Sequence, residues 1–305
     1  MEIVSQIPLT TIAKAYFETT KPKVVALLVF TAIVGMLLAS PGSVPLDILI
    51  FASLGIALAA ASGAAINHVV DQYIDGVMGR TKGRPLPTGT LSSQSVLLFA
   101  LFLGVLSMFI LSYTVNILTA LLALIALIGY AVIYTMFLKR HTPHNIVLGG
   151  AAGAMPPVLG WTAVTGEINS EALLLFLIVF IWTPPHFWAL AIRRKNDYAK
   201  AGLPMLPVTH GIAFTKLQIL LYTFMLLAVS LFPFVTQMSG LIYLCGALSL
   251  GIGFIFHAYR LFRTEGDTYA MKTFAYSIFY LGLLFVFLLT DHYARVLYHS
   301  MSSVS

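Results

Sequence analysis

Long unbroken apolar runs alternate along this chain with short polar connections. The runs are long enough to cross a hydrocarbon core of roughly 30 Å, which takes about 20 helical residues. They predict nine spans, at about 24–41, 46–70, 94–114, 116–138, 145–164, 171–192, 216–237, 240–262 and 272–293. Only helices and closed barrels satisfy every backbone group inside a bilayer, and unbroken runs rather than period-two alternation select helices. The expected fold class is an all-α polytopic membrane protein. One domain is expected over 1–305, with flexible tails at 1–13 and 296–305.

Composition removes the soluble alternatives. With 59% hydrophobic and 9% charged residues among 305, and a mean hydropathy of +0.93, the chain lacks the polar side chains to coat a globule in water. The formal charge of +6 does not mark a nucleic-acid partner, because the basic residues sit in short loops. Lys14, Lys21 and Lys23 precede the first span; Arg80, Lys82 and Arg84 follow the second; Lys139 and Arg140 follow the fourth. Arg193, Arg194, Lys195, Lys200 and Lys216 follow the sixth, and Arg260, Arg263 and Lys272 the eighth. Only Arg295 of the 17 Lys and Arg falls on the other side. The positive-inside rule makes the crowded side cytoplasmic, with the N-terminus on it. Residues 1–20 hold neither an Arg-rich amphipathic pattern nor a small-residue cleavage site, so a bacterial inner-membrane protein without a signal or transit peptide is expected. Cys245 is the single cysteine, which rules out a disulfide framework and reads as a buried, inert thiol.

On the sparsely charged side the connections 41–45, 113–116, 165–170 and 237–240 read as plain turns. On the basic side, 75–94 and 193–215 are much longer and each follows a polar-tipped helix, so function is expected there.

The second span ends Asn67-His68-Val69-Val70-Asp71-Gln72-Tyr73-Ile74-Asp75. Asn67, Asp71 and Asp75 recur every four residues and form one helical stripe, with about 6 Å between successive members. Carboxylates near membrane depth are costly unless paired, hydrated or metal-bound. Two of them with an amide oxygen make a hard ligand set suited to Mg²⁺ that also takes oxygens from a diphosphate; a merely hydrated helix end is the plainer reading. Gly79-Arg80-Thr81-Lys82-Gly83-Arg84-Pro85-Leu86-Pro87 follows at once. Its cations suit phosphate oxygens and a departing diphosphate, although topology signalling alone would also explain them. Lys21, Lys139, Arg140 and Lys200 are further candidate phosphate-binding cations.

Asn-x-x-x-Asp-x-x-x-Asp followed by Arg-Thr-x-x-Arg-Pro-Leu resembles the first signature of the UbiA-type intramembrane prenyltransferase superfamily. The resemblance implies nine helices around a central cavity opening sideways to lipid, and Mg²⁺-assisted transfer of a polyprenyl group from its diphosphate. A second string, Trp182-Thr183-Pro184-Pro185-His186-Phe187-Trp188, leads into Asp197-Tyr198-Ala199-Lys200 and on to Pro207. Many members carry a Tyr-Asp pair and a later Asp cluster here; this chain has His186-Phe187 and a lone Asp197. With Tyr16 to Lys23 and Gly149 to Pro157, that string is similar to the haem-farnesylating branch of the superfamily. The branch implies farnesyl diphosphate and haem B as substrates, water addition at a haem vinyl group, haem O as product, and a pathway link to haem A synthase or a terminal oxidase. It also implies catalytic and metal-binding roles for Asn67, Asp71, Asp75 and Asp197.

An allylic cation needs a dry pocket with aromatic faces. Tyr130, Tyr134, Trp182, Phe187 and Trp188 are candidates, each equally explicable by helix packing. His186 is open to three readings: approach to a haem iron, orientation of a propionate or phosphate, or a satisfied helix-end histidine. His68 sits roughly 100° around the helix from Asn67 and need not share the ligand face, and His141, His144 and His210 are loop residues with no metal-ligand spacing. A transporter, with helices broken at Pro156-Pro157 and Pro184-Pro185, is the reading from another class; paired carboxylates beside clustered cations on one side suit a one-sided reaction better.

Overall fold

The computed structural model describes residues 8–302. Nine of its helices are long and apolar enough to cross a membrane among those residues, matching the number expected from hydropathy. Helix α1, Leu9–Thr19, precedes α2, Pro22–Ala39, and α3, Leu46–Val70. A short α4, Gln72–Val77, prolongs α3 toward the first long loop. Then come α5, Ser93–Val115, α6, Ile117–His141, and α7, Asn145–Thr165. The rest comprises α8, Ser170–Arg193, the short α9, Lys195–Lys200, and α10, Leu206–Thr209, then α11, Gly211–Val235, α12, Leu241–Arg263, and α13, Ala270–Ser302.

The outward faces are those of lipid-exposed helices. On α5, Leu98, Phe102, Val105 and Phe109 are exposed while Val96, Ala100, Leu103 and Ser107 are buried; the three-and-four spacing divides one helix into a lipid side and a packed side. Helix α5 is tied to α3 by Ser62 Oγ donating to the Ala100 carbonyl and Ser107 Oγ donating to the Gly55 carbonyl, both at 2.7 Å. Small residues set the closest crossing. A Cβ on Gly35 would collide with the Pro157 carbonyl, and one on Gly160 with the Ala32 carbonyl, so α2 and α7 lie backbone against backbone. A second core joins α8, α11, α12 and α13 around Trp182, Tyr243, Phe254, Tyr280 and Phe285.

Several boundaries differ from the sequence reading. Helix α11 begins at Gly211, five residues before the expected span, and its added first turn is held by the Thr215 hydroxyl donating to the Gly211 carbonyl at 2.8 Å. Residues 9–13 and 296–302, expected within flexible tails, are helical; the remaining 1–7 and 303–305 lie outside the described residues. Helix α7 does break, at Ala154 and Met155, and restarts with Pro156 in the first turn, where a missing N–H costs nothing. Pro184 and Pro185, however, lie buried inside an uninterrupted α8, since neighbouring helices support a span whose ladder has lost two donors. Cys245 is exposed on α12 rather than buried.

Candidate active site

The polar stripe survives a helix break. Helix α3 ends at Val70 and Asp71 caps it with φ −92° and ψ 3°, yet the Asp71 amide still donates to the Asn67 carbonyl at 2.9 Å and the Asp75 amide to the Asp71 carbonyl at 2.8 Å. Asn67, Asp71 and Asp75 therefore stay in register, and all three are buried. Their burial is offset by cations from three other segments. Lys139, at the end of α6, donates to Asp71 Oδ2 at 2.5 Å. Arg84, in the long loop, donates to Asp75 Oδ2 at 2.6 Å. Lys21, in the link between α1 and α2, donates to Asn67 Oδ1 and lies 3.4 Å from the Tyr130 hydroxyl. Asn67 passes its own amide protons to Asp71 Oδ2 at 2.7 Å and Thr135 Oγ1 at 3.2 Å.

Helix α6 is wound wide where it meets the stripe. From Gly129 to Leu138 it is a π-helix, and the Thr135 hydroxyl donates to the carbonyl of Tyr130, five residues back, at 2.8 Å. Such widening is frequent at functional sites; here it brings Tyr130 and Thr135 to one face. Tyr134 stacks on Tyr130 with centroids 5.7 Å apart and occupies the space a Cβ on Gly149 would take.

These groups line a polar cavity of about 140 Å³, bounded by Lys21, Asn67, Asp71, Asp75, Arg80 and Arg84 with Tyr130, Tyr134, Lys139, Phe187 and Tyr198. Four cations face two carboxylates, so the cavity wall has an excess of positive charge suited to a polyanion. Removal from water pushes the Lys21 ammonium down to about 8, with Arg84 adding to the fall and Asp71 and Asp75 opposing it. Burial pushes the Tyr198 phenol up, which keeps it a proton donor. A second, apolar cavity of about 170 Å³ lies between α2, α3, α6 and α7, walled by residues such as Leu28, Ile56, Ala126 and Leu159. Lys21 and Tyr130 belong to both walls.

The carboxylates fit a divalent cation. Asp71 Oδ1 is buried without a hydrogen-bond partner, which is costly for a carboxylate oxygen unless a cation takes it. No cluster of three or more His, Cys, Asp or Glu side chains exists among the described residues, so two carboxylates would share the ion with ligand oxygens. The Asn67 oxygen, expected as a metal ligand, accepts a hydrogen bond from Lys21.

Of the other candidates, Phe187 reaches the polar cavity, but several do not. Asp197 lies beside Gly79 and 3.7 Å from Arg194, next to Tyr198 but not itself lining the cavity. Lys200 is exposed, and Arg140 is exposed and donates to the Val70 carbonyl at 2.9 Å. Trp182 is buried against α13, its indole N–H donating to the Ser277 carbonyl at 2.7 Å. Trp188 packs edge-on to Tyr222, and His186 lies between α8 and α13. Missed in sequence were Thr135, Tyr198, Leu203 and Met205, whose residue types carry no signal apart from the fold.

Residues 28–289 match the model of the UbiA prenyltransferase family. The chain belongs to the UbiA prenyltransferase family. Within it, the chain is 66% identical over 284 residues to a protein named protoheme IX farnesyltransferase from Thioalkalivibrio sulfidiphilus, covering 93% of this chain and 94% of the relative. A protein of the same name from Nitrosococcus oceani is 60% identical over 280 residues, covering 92% and 94%. Solved UbiA-fold structures align along almost the whole length. A digeranylgeranylglyceryl phosphate synthase superposes with TM-score 0.78 at 19% identity, over 92% of this chain and 99% of that one. A UbiA homolog from Archaeoglobus fulgidus, bound to DMAPP and Mg²⁺, gives TM-score 0.61 at 18% identity over 90% and 98%. This prenyltransferase is thus an all-α, multi-pass membrane protein of the UbiA fold.

Proposed function

We propose that this prenyltransferase moves the farnesyl group of farnesyl diphosphate onto a vinyl group of haem B, with addition of water, releasing diphosphate and giving haem O. The supporting observation is the meeting of a cation-rich polar cavity with an apolar one at Lys21 and Tyr130, a shape suited to a charged head with a hydrocarbon tail. The haem acceptor is supported by the farnesyltransferases to which the chain is 57–66% identical.

In this reading Lys21, Arg80, Arg84 and Lys139 bind the diphosphate oxygens, and their charge favours its departure more than its binding intact, since negative charge grows on it as the allylic bond breaks. Asp71 and Asp75 hold Mg²⁺, which when bound supplies Lewis-acid polarisation of the same oxygens. Asn67 orients Asp71 on one side and Lys21 on the other. Tyr130 lines the junction where the allylic cation forms, with Phe187 on the polar-cavity side, and the apolar walls exclude water from its tail. We place this site on the cytoplasmic side of a bacterial inner membrane from the basic asymmetry of the loops, and the product upstream of haem A formation for a terminal oxidase.

Mass spectrometry of haems from a host lacking this activity, with and without the chain, tests the assignment. Farnesylated, hydrated haem is expected only when the chain is present. A prenylated quinone precursor with unmodified haem would overturn the acceptor and leave the diphosphate site standing.

A further inference from the structure

We propose that His186 Nε2 is the ligand through which the chain holds the iron of its porphyrin substrate, and that Ser277 is the positioning residue that leaves this nitrogen free. The proposal rests on the haem reading above and adds how the acceptor is held.

The argument begins with one proton. His186 Nδ1 lies 2.7 Å from Ser277 Oγ. A serine hydroxyl has a single proton, and that of Ser277 is donated to the Phe274 carbonyl at 2.6 Å. Ser277 Oγ must therefore accept from His186, so the imidazole's proton sits on Nδ1 and Nε2 is a bare lone pair. Nε2 has no hydrogen-bond partner among the described residues. Metal-bound histidines commonly commit their second nitrogen in this way, which fixes both tautomer and ring plane.

The ring plane is also held by packing. The imidazole stacks on Trp182 with centroids 4.2 Å apart and 18° between planes, and on Phe274 at 4.6 Å and 26°. Trp182 is anchored in turn through its bond to the Ser277 carbonyl. The next residue, Phe187, lines the polar cavity, while His186, about 100° around α8 from it, faces Ser277 and Phe274. The nearest parallels differ: His257 Nδ1 lies 3.2 Å from the Tyr269 hydroxyl, which can itself supply the shared proton, and His210, with Nδ1 2.8 Å from the Thr209 hydroxyl, is exposed. His68 is buried with both ring nitrogens unpartnered, so nothing selects its tautomer. His292 directs Nε2 to the Ser40 carbonyl at 2.9 Å and so protonates it. His141 has Nδ1 committed to the Phe137 carbonyl at 2.7 Å, but it is exposed.

The test titrates purified full-length protein in detergent with haem and with iron-free protoporphyrin IX, following the Soret band. Wild type should show a histidine-ligated iron spectrum. His186→Phe, which keeps the ring stacking and removes the nitrogen, should lose that spectrum and bind haem at least about tenfold more weakly. Protoporphyrin and farnesyl diphosphate should bind it as they bind wild type, and added imidazole should restore the spectrum. Ser277→Ala should weaken haem alone, by roughly tenfold. A wild-type spectrum and affinity in His186→Phe would overturn the proposal, as would equal losses for haem and protoporphyrin, which would make His186 a wall of the pocket. A wild-type protein that neither binds nor farnesylates haem would remove the functional reading as well; one that farnesylates haem while His186→Phe keeps its spectrum would remove the iron ligand alone.

Discussion

Lys139 and Asp71, 68 residues apart in sequence, form an ion pair of 2.5 Å that ties the end of α6 to the end of α3. Their side chains are 14% and 2% exposed, so little water is available to replace either partner. A buried charge stripped of its counter-ion is far more expensive than the pair is favourable.

Lys139→Met should therefore destabilise the metal-free protein by about 3–5 kcal/mol, read as denaturant-induced unfolding in detergent. Adding Asp71→Asn to that variant should recover much of the loss, because no orphaned charge remains. A single variant as stable as wild type would mean that the pair contributes nothing to holding the two helices.

Asp71→Asn and Asp75→Asn should each cut Mg²⁺-dependent turnover by roughly tenfold or more, with the chain still folded in the membrane, since each removes an anionic oxygen at nearly constant volume. Asp197→Asn should change turnover little, because Asp197 does not itself line the cavity. Near-normal activity in the Asp71, Asp75 double variant would dismiss the stripe as the metal site.

Gly160→Ala should cost about 1–3 kcal/mol of stability by overpacking. The added methyl meets the Ala32 backbone carbonyl of α2, which has no rotamer to move away. Gly153→Ala, whose Cβ meets nothing within 4 Å, should be tolerated; equal costs at the two sites would rule out the close crossing as the cause.

Single cysteines introduced at Gly83 and Ser43, in a Cys245→Ser background that removes the exposed native thiol, should label from opposite sides of the membrane. Gly83 should react from the cytoplasm and Ser43 from the periplasm. Labelling of both from one side would contradict an odd number of crossings.

The spans were legible because hydropathy and length do not depend on how a helix is turned, and the stripe because its four-residue period is intrinsic to the helix. Rotation about the helix axis was not legible. Trp182, His186, Phe187 and Trp188 sit within two turns of α8, yet only Phe187 faces the polar cavity, while Trp182 faces α13 and Trp188 faces Tyr222. Successive residues differ by about 100°, and sequence supplies the increments without the starting angle. Tyr198 and Met205 were hidden for another reason: the loop folds back over the cavity through α9 and α10, a path that no local pattern encodes.

The backbone of Lys21 carries a consequence of its own. Lys21 has φ 52° and ψ 59°, a left-handed conformation that costs a residue with a Cβ roughly 1–2 kcal/mol, and Pro22 after it disfavours the right-handed alternative. Glycine would take that turn without penalty but would leave Asn67 and the mouth of both cavities without their ammonium. At this one position folding and function want different residues. Lys21→Gly would relax the elbow and, in the same step, leave the buried Asn67 oxygen without its donor, so the strain persists because the turn and the site share one side chain.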